Sequence, residues 1–294
     1  MKKIKFKKVA FIGMGLIASS MARSMKKLGI ADKIVTSVRS DKTRKVSLDL
    51  GLVSEAFNDP SEAITGADLV VIAIPLGSYG LVFENLSKNL DPKTIITDVG
   101  SVKQATVEIA EKHLPSKDMF VPGHPIAGTE HSGPNSGFAD LFQGRWTILT
   151  PTKDTNLSSL EKVKSMWTLM GATVDIMTPT HHDKVLAITS HLPHLIAYTI
   201  VGTATDLEDD LRQEVIKYSA SGFRDFTRIA ASDPIMWRDI FLSNKEATLD
   251  MLQRFSEDLT AMQRAIRHGE SGKLEKLFSR TRKIRRGIID AKQA

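Results

Sequence analysis

Two polar clusters in this sequence carry side chains that could move a proton. The stretch "DVGSVK" contains Ser101, and the later stretch "VPGHP" contains His124. A histidine accepts a proton near neutral pH, and a serine hydroxyl beside it can orient the oxygen of a bound substrate. Three glycines, Gly123, Gly128 and Gly133, are expected to let the backbone around the histidine turn tightly about a small ligand. The pattern favours proton transfer at an alcohol.

Short apolar runs alternate with helical patterns through the first part of the chain, and both clusters follow such runs. The predicted strands cover 9–13, 33–38, 68–75, 94–100 and 119–123, and the predicted helices cover 16–27, 42–50 and 104–113. This alternation indicates an α/β fold with a doubly wound, mostly parallel sheet. Runs at 145–151 and 172–177, on either side of a helix over 157–170, are expected to extend the sheet. Because ligands bind beyond the carboxyl ends of parallel strands, Ser101 and His124 should share one rim.

The stretch "GMGLIA" (13–18) follows the first predicted strand and opens the first predicted helix. In this G-x-G-x-x-A pattern, Gly13 allows a tight turn and Gly15 lets the backbone approach a pyrophosphate at the helix N-terminus. The strand–turn–helix context indicates a dinucleotide site. The residues predicted to contact the dinucleotide here are Gly13, Gly15, Leu16, Ile17 and, at the end of the run 68–75, Pro75.

The end of the second predicted strand bears on the choice between NAD and NADP. Sites that select NAD usually place a carboxylate there to hold the ribose hydroxyls. Here the chain reads "SVRSDKTRK" (37–45), with Ser37 and Val38 at the expected place. Arg39, Ser40 and Arg44 follow, and arginines with a hydroxyl suit a 2′-phosphate. We expect NADP, with NAD as the alternative cofactor; a solvated basic loop is the competing interpretation of these residues.

Helical patterns replace strands after Pro179. Apolar residues three and four apart form one face of a long helix, namely Leu249, Leu252, Phe255, Leu259, Met262 and Ile266. We place the domain boundary at 178–180, which gives a dinucleotide-binding domain over 1–178 and an all-α domain over 179–294. A domain of amphipathic helices often buries surplus apolar surface against a second copy, so a homodimer is expected.

Composition limits the function classes. The chain has 294 residues, 25% of them charged, no cysteine and a net charge of +6. Disulfides and cysteine-bound metals are excluded, which is compatible with a reducing cytoplasm, where we expect the protein. The basic surplus suits small anionic ligands. The basic runs "MKKIKFKK" and "RTRKIRR" do not alternate with aromatics as a base-stacking surface does, so no nucleic-acid partner is expected.

The amino-terminal residues have the basic and apolar order of a secretory signal. The glycine spacing that follows favours a buried strand over Lys8–Ile12 instead. No other apolar run approaches the roughly 20 residues that span a bilayer, so no membrane partner is expected. His191 and His194 have a spacing at which two histidines can share a metal, but no third ligand pattern accompanies them, and we expect no metal site.

Five longer stretches occur in the order found in one enzyme family: "GMGLIASS", "TDVGSVK", "GHPIAGTEHSG", "HHDKVLAITSHLPH" and "SGFRDFTRIAASDPIMWRDI". Through them the chain resembles the prephenate/arogenate (cyclohexadienyl) dehydrogenases of tyrosine biosynthesis over nearly its whole length. The resemblance implies a Rossmann-like N-terminal domain and a helical C-terminal dimerisation domain. It also implies oxidative decarboxylation of prephenate to 4-hydroxyphenylpyruvate, or of arogenate to tyrosine, with hydride transfer to NADP or NAD.

The resemblance also implies roles for single residues. His124 matches the catalytic histidine that binds the ring hydroxyl of the substrate, and Ser101 matches the hydroxyl partner beside it. Arg228 of "FRDFTR" matches the arginine that binds the side-chain carboxylate. His194 of "SHLPH" and Glu130 of "AGTE" match further positions of the substrate pocket.

One departure from the family pattern concerns the substrate. The family often has two glycines before "FRD", whereas here Ser221 precedes Gly222. The shape of the pocket, and with it the choice between prephenate and arogenate, stays open. Tyrosine could act as a feedback inhibitor by occupying the substrate pocket.

Overall fold

The computed structural model describes residues 4–129, 131–206, 214 and 217–290. For residues 288–290 it describes the backbone alone. The chain divides into two compact units, residues 1–245 and 246–294. Within the described residues, every strand lies in the first unit. The boundary predicted at 178–180 falls inside the first unit and stays a prediction.

The main sheet of the first unit has six parallel strands in the order β3-β2-β1-β4-β5-β6. They are β1 (Phe6–Ile12), β2 (Ala31–Ser37), β3 (Glu55–Phe57), β4 (Leu69–Ile72), β5 (Ile95–Asp98) and β6 (Phe120–Val121). The order reverses at β1, which pairs with both β2 and β4. Such a switch point is where open α/β sheets bind dinucleotides. The predicted doubly wound α/β sheet is confirmed.

Helices connect these strands and cover both faces of the sheet. They are α1 (Leu16–Leu28), α2 (Asp41–Asp49), α3 (Pro60–Ile64), α4 (Tyr79–Leu86), α5 (Gln104–His113) and, further along, α6 (Leu157–Leu169). The four predicted helices match α1, α2, α5 and α6 to within one residue at each end. The end of α1 shows why: Gly29 has a φ of 65°, the left-handed conformation that glycine adopts at a helix C-terminus.

Alternate residues of β1 enter two separate cores because successive side chains of a strand point to opposite faces. Val9 and Phe11 join α1 and α6 on one face. Ala10 and Ile12 join α3, α4 and α5 on the other face. The sheet therefore lies between two helical layers, which explains why its strands are apolar almost throughout.

A second sheet corrects one expectation. The runs at 145–151 and 172–177 form β8 (Trp146–Leu149) and β9 (Thr173–Ile176), but these strands do not extend the main sheet. They join β7 (Gly123–Pro125), which is antiparallel to β8, while β8 is parallel to β9. The expectation was wrong because Pro122 separates β6 from β7. Proline has no N–H to donate to the ladder, and the chain leaves the main sheet there.

A continuous helical run, Pro179–Thr205, follows β9. It consists of α7 (Pro179–Leu186), a π-helical turn (Ala187–His191) and α8 (Leu192–Thr205). The side chain of Thr178 caps α7 by accepting a hydrogen bond from the N–H of His181. Turns of π-helix occur frequently at functional sites, and this one carries His191.

The length and composition of this helical run would by themselves allow it to cross a membrane, which the sequence reasoning did not expect. Two side chains of the run instead form contacts inside the first unit. His182 and Asp183 are buried and form hydrogen bonds to residues of β7 and of the β5–α5 loop. The amino-terminal part of the run is therefore packed within the first unit.

Further helices follow towards the end of the chain, and the last two are strongly amphipathic. These helices are α9 (Ser221–Thr227), a 3₁₀ turn (Arg228–Ala231), α10 (Pro234–Ser243) and, in the second unit, α11 (Lys245–Arg267) and α12 (Ser271–Asp290). The apolar face predicted for 249–266 lies on α11. Leu249, Leu259 and Ile266 on this face are 49%, 54% and 64% exposed in the single chain, so much of it is open to a partner.

Candidate active site

The two glycines of the β1–α1 turn serve different purposes. Gly13 has a φ of +95°, and a Cβ atom there would lie 2.3 Å from the carbonyl oxygen of Ala73, so the fold itself requires glycine. Gly15 is the N-cap of α1 and has an ordinary negative φ, and a Cβ atom there would meet nothing within 4 Å. Packing does not explain Gly15. A ligand that must approach the backbone at the helix N-terminus does, and a dinucleotide pyrophosphate fits.

The other predicted cofactor residues lie around this turn. Leu16 and Ile17 form the first residues of α1 and pack against the core beneath it. Pro75 follows β4, two residues after Ala73, and starts a short 3₁₀ turn. All of these residues lie at the carboxyl ends of the parallel strands.

Some polar side chains of the loop after β2 bind other residues of the same region. The Ser40 side chain caps α2 by accepting from the N–H of Thr43. The Arg44 guanidinium donates to the carbonyl oxygen of Val38 and pairs with Asp41. Arg39 is exposed. Of the three residues predicted to bind a 2′-phosphate, Ser40 and Arg44 have structural partners.

A buried ion pair anchors the rim beside β5. Lys103 and Asp98 are both fully buried, and Lys103 Nζ lies 2.5 Å from Asp98 Oδ2. Asp98 also accepts hydrogen bonds from the Tyr79 hydroxyl and from the backbone N–H groups of Gly100 and Gly123. Burial lowers the pKa of Lys103, and the adjacent Asp98 opposes that shift. Among the described residues, the Lys103 ammonium and both carboxylate oxygens of Asp98 have hydrogen-bond partners.

The same ion pair connects Ser101 with His124. Lys103 Nζ donates to the carbonyl oxygen of Gly123 (2.7 Å), and the N–H of Gly123 donates to Asp98 Oδ1 (3.0 Å). The loop 98–103, which carries the half-buried Ser101, is therefore bonded to the residue that precedes His124. The structure places these two predicted catalytic residues on adjoining segments.

His124 is 8% exposed, and its two ring nitrogens differ. Nδ1 lies 2.9 Å from His182 Nε2, and His182 Nδ1 lies 2.7 Å from Asp183 Oδ1. Within the described residues His124 Nε2 has no hydrogen-bond partner, yet it is not sealed from solvent as the Nε2 atom of His191 is. Burial holds the pKa of His124 well below 6.5, and the nearby ammonium of Lys103 acts in the same direction. The imidazole is neutral at pH 7 and has one accessible nitrogen.

Asn244 holds a further histidine beside this group. Its amide nitrogen donates to the backbone carbonyl of Asp183 (2.9 Å) and lies 3.1 Å from Nδ1 of the buried His191. Burial lowers the pKa of His191 to about 4, so this side chain is neutral as well. Within the described residues, no group of three or more His, Asp or Glu side chains could hold a metal ion.

The predicted substrate-binding residues are only partly visible. His194 is half-buried on α8, stacks on Trp237 with 3.6 Å between ring centroids and hydrogen-bonds the carbonyl of Ser190. Burial lowers the pKa of His194, and the charge of Arg228 acts in the same direction, which places the two side chains within electrostatic reach. Glu130 lies outside the described residues.

The three glycines of the stretch "GHPIAGTEHSG" (123–133) also differ from one another. Gly133 has a φ of 88° and starts a 3₁₀ turn, as a tight turn requires. Gly123 and Gly128 do not have a left-handed φ. A Cβ atom at Gly123 would lie 3.1 Å from the carbonyl of Asp98, so this glycine allows close packing of β7 instead of a turn. The expectation of three tight turns was wrong for Gly123 and Gly128.

Sequence reasoning missed most of the residues that surround His124. His182, Asp183, Lys103 and Asp98 were not predicted as site residues, although all four lie in polar stretches next to apolar runs. One local signal was available: an aspartate at the end of an otherwise apolar strand must find a buried partner.

Comparison with known proteins decides the family. The model of the prephenate dehydrogenase nucleotide-binding domain matches residues 21–176, and the model of the prephenate dehydrogenase dimerization domain matches residues 178–280. The chain belongs to the prephenate dehydrogenase family. It is 38% identical over 280 residues to a cyclohexadienyl dehydrogenase of Zymomonas mobilis, with 95% of each chain covered. It is 33% identical to a prephenate dehydrogenase of Bacillus subtilis, over 95% of this chain and 76% of that one.

Solved structures of this family share the fold. A crystal structure of prephenate dehydrogenase from A. aeolicus, in complex with hydroxyphenyl propionate and NAD⁺, has a TM-score of 0.91 and 34% identity, covering 98% of this chain and 100% of that one. Synechocystis arogenate dehydrogenase has a TM-score of 0.78 and 29% identity, with 95% and 98% covered. The chain is therefore a dehydrogenase of the prephenate/cyclohexadienyl type with a nucleotide-binding domain, and its predicted fold of a Rossmann-like sheet followed by helices is confirmed.

Proposed function

We propose that this member of the prephenate dehydrogenase family catalyses the oxidative decarboxylation of a cyclohexadienyl substrate, prephenate or arogenate, with His124 as the proton acceptor. The observation that carries the proposal is the asymmetry of the His124 ring. Its Nδ1 atom is held by His182, while its Nε2 atom has no partner among the described residues and is not sealed from solvent.

The reaction needs one proton acceptor that can also return its proton. A nicotinamide held in the first unit would supply the acceptor for the hydride that leaves the ring carbon bearing the hydroxyl. His124 Nε2 takes the hydroxyl proton as that carbon is oxidised, and Ser101 orients the same oxygen. The ring carboxylate then leaves as carbon dioxide, and its bonding electrons make the ring aromatic. Because the product is a phenol, His124 returns the proton to the ring oxygen, and no net proton is lost.

Substrate binding requires a cation for the side-chain carboxylate. We assign the side-chain carboxylate to Arg228, since a guanidinium binds a carboxylate in a bidentate, charge-assisted pair that a lysine cannot form. His194 lies within electrostatic reach of Arg228 and is proposed to line the same pocket, together with Glu130. The side chain is also where prephenate and arogenate differ, and we propose that either can be accepted.

The cofactor is a nicotinamide dinucleotide, and we propose a preference for NADP over NAD. At the end of β2 the exposed Arg39 follows Val38, and no acidic residue lies between Ser37 and Ser40. The hydroxyl of the buried Ser37 donates to the carbonyl oxygen of Asn58. Arg44 contributes less directly, because its guanidinium organises the loop through Val38 and Asp41. Arg39 is then the residue most able to meet a 2′-phosphate.

Three wider features of the function follow from the helices and the composition. A homodimer is proposed because the matched family model is that of a dimerization domain and because the apolar face of α11 is exposed. Tyrosine is proposed as a competitive inhibitor at the substrate pocket. Cytoplasmic localisation and the absence of nucleic-acid and membrane partners stay predictions.

The test measures reduced cofactor formation at 340 nm for prephenate and arogenate, each with NAD and with NADP. We expect turnover with at least one substrate, a higher kcat/KM with NADP, and a fall in turnover of about 10²–10⁴-fold in His124→Asn at unchanged cofactor affinity. His131→Asn is the matched control, since this histidine is exposed in the same glycine-rich stretch. Near-normal turnover of His124→Asn would refute the assignment, and an equal or better kcat/KM with NAD would refute the cofactor preference.

A further inference from the structure

Three groups form an unbroken hydrogen-bonded line that ends at His124. Asp183 Oδ1 lies 2.7 Å from His182 Nδ1, and His182 Nε2 lies 2.9 Å from His124 Nδ1. His182 is fully buried and Asp183 is 5% exposed. The comparisons above assign no role to either residue, and the proposed reaction uses only the far end of the line.

The aspartate fixes the direction of this line. Asp183 Oδ1 also accepts the backbone N–H of Lys103, and Asp183 Oδ2 accepts the backbone N–H of Gln104 at the start of α5. Backbone N–H groups can only donate, and a carboxylate can only accept. The N-terminus of a helix favours a negative charge at this position. The carboxylate of Asp183 therefore accepts their shared hydrogen bond, and His182 Nδ1 carries the proton and donates it.

The proton on His182 Nδ1 decides the tautomer of His124. A neutral imidazole carries one N–H and one lone pair, so a protonated Nδ1 leaves His182 Nε2 as an acceptor. The group that faces this acceptor, His124 Nδ1, must then donate. Its ring proton is thereby placed on Nδ1, and His124 Nε2 is left with a lone pair.

We propose that His182 and Asp183 are positioning residues that hold His124 in the tautomer whose Nε2 atom can accept the substrate proton. This inference rests on the proposed role of His124. When the hydroxyl proton moves from the substrate oxygen to His124 Nε2, the ring becomes an imidazolium that donates through Nδ1 to His182. The positive charge then faces, through one neutral imidazole, the carboxylate of Asp183. The line disperses the charge until the proton returns to the phenolic oxygen.

The neutral state of both rings agrees with this arrangement. Burial lowers the pKa of His182, as it lowers that of His124. The buried ammonium of Lys103 opposes a positive charge on either ring. Two neutral rings that share one hydrogen bond can satisfy it only when one donates and the other accepts, and Asp183 determines which ring does so.

Two variants test whether His124 needs a hydrogen-bond acceptor at position 182 or only a side chain of similar size. His182→Leu removes the acceptor, and His182→Gln keeps an amide oxygen that can accept from His124 Nδ1. His181→Gln is the matched control, because the neighbouring histidine is exposed on the same turn of α7. We expect His182→Leu to lower kcat about 10²-fold, with KM for the cofactor within twofold of the wild type. His182→Gln should recover most of this loss, and His181→Gln should keep wild-type kinetics.

A second measurement reads the tautomer without activity. In protein labelled with ¹⁵N-histidine, the ring-nitrogen chemical shifts, assigned by comparison with His124→Asn, report which nitrogen carries the proton. We expect His124 to be protonated at Nδ1 in the wild type and in His182→Gln, and to show a mixture of tautomers in His182→Leu and in Asp183→Asn. His124 protonated at Nε2 in the wild type would overturn the inference.

The two measurements distinguish the failure of this inference from the failure of the proposed function. If His182→Leu keeps the kcat of the wild type while His124→Asn is inactive, the inference fails and His124 remains the base. If His124→Asn itself keeps normal turnover, the proposed function fails, whatever tautomer the spectrum shows.

Discussion

At the scale of single residues, the glycines of the β1–α1 turn separate what the fold needs from what a ligand needs. Gly13 meets a positive φ and a carbonyl oxygen 2.3 Å from the Cβ it lacks, whereas Gly15 has an ordinary φ and open space. The histidines separate in a similar way. His191 is sealed, and His124 keeps one nitrogen open. At this scale, a residue that packing does not explain, such as Gly15, is a candidate for ligand binding.

This difference gives a prediction for two alanine substitutions. Gly15→Ala should weaken dinucleotide binding about tenfold or more, because the new methyl group occupies the approach of the pyrophosphate. Its free energy of unfolding should stay within about 0.5 kcal/mol of the wild type. Gly13→Ala should lose more than about 1 kcal/mol of stability, since alanine is strained at a positive φ. Isothermal titration with NAD and NADP and urea unfolding measure the two effects, and unchanged binding by Gly15→Ala would contradict this explanation.

At the scale of elements, one buried ion pair ties together three segments that the sequence keeps apart. Asp98 ends β5, Lys103 precedes α5, and both bind the backbone of Gly123 in β7. The N–H of Lys103 also binds Asp183 of α7. The position of His124 therefore depends on a charged pair in the interior, and a buried charge without its partner is costly.

A double-mutant cycle tests this dependence. Lys103→Met alone should lower the free energy of unfolding by about 3–5 kcal/mol, because it leaves the Asp98 carboxylate buried and uncompensated. Adding Asp98→Asn removes that charge, so the double variant should be more stable than Lys103→Met by about 1 kcal/mol or more. Urea unfolding at one fixed protein concentration gives the free energies of unfolding of the wild type, of Lys103→Met, of Asp98→Asn and of the double variant. Losses that simply add would show that the two side chains do not act as a pair.

At the scale of the whole molecule, part of the apolar face of α11 stays exposed in the single chain. Leu259 and Ile266 are more than half exposed on the same face of α11. The matched family model over 178–280 is that of a dimerization domain. A second copy of the chain is the partner that fits both observations, since symmetric dimers pair one surface with itself.

The dimer prediction compares one acidic substitution on two faces of α11. Leu259→Asp places a charge in the apolar face and should shift the protein towards monomers, by at least about tenfold in the dissociation constant. Ala261→Asp places the same charge on the opposite, exposed face of the helix and should leave the dimer intact. Analytical ultracentrifugation over a range of concentrations measures both. A wild-type mass for Leu259→Asp would exclude this face from the interface.

The sequence by itself determined those features that depend on neighbouring residues. Local causes explain the glycine turn at 13–18, the parallel strands formed by the apolar runs, and the helices α1, α2, α5 and α6. Examples of such causes are the cap at Gly29 and the prolines, which have no backbone N–H to donate. His124 and Ser101 were also predicted in this way, because polar residues after buried strands gather at one edge of a parallel sheet. The family resemblance added Arg228 and His194, which no spacing in the chain indicates.

Only the tertiary structure decided what surrounds these residues. It separated β8 and β9 from the main sheet and joined His124 to His182, which is 58 positions further along the chain. It also showed that the fold requires glycine at position 13 and leaves open space beside Gly15. The physical reason is that a hydrogen bond between distant residues depends on how helices and sheets pack around them, and the chain between the two partners carries no record of that packing.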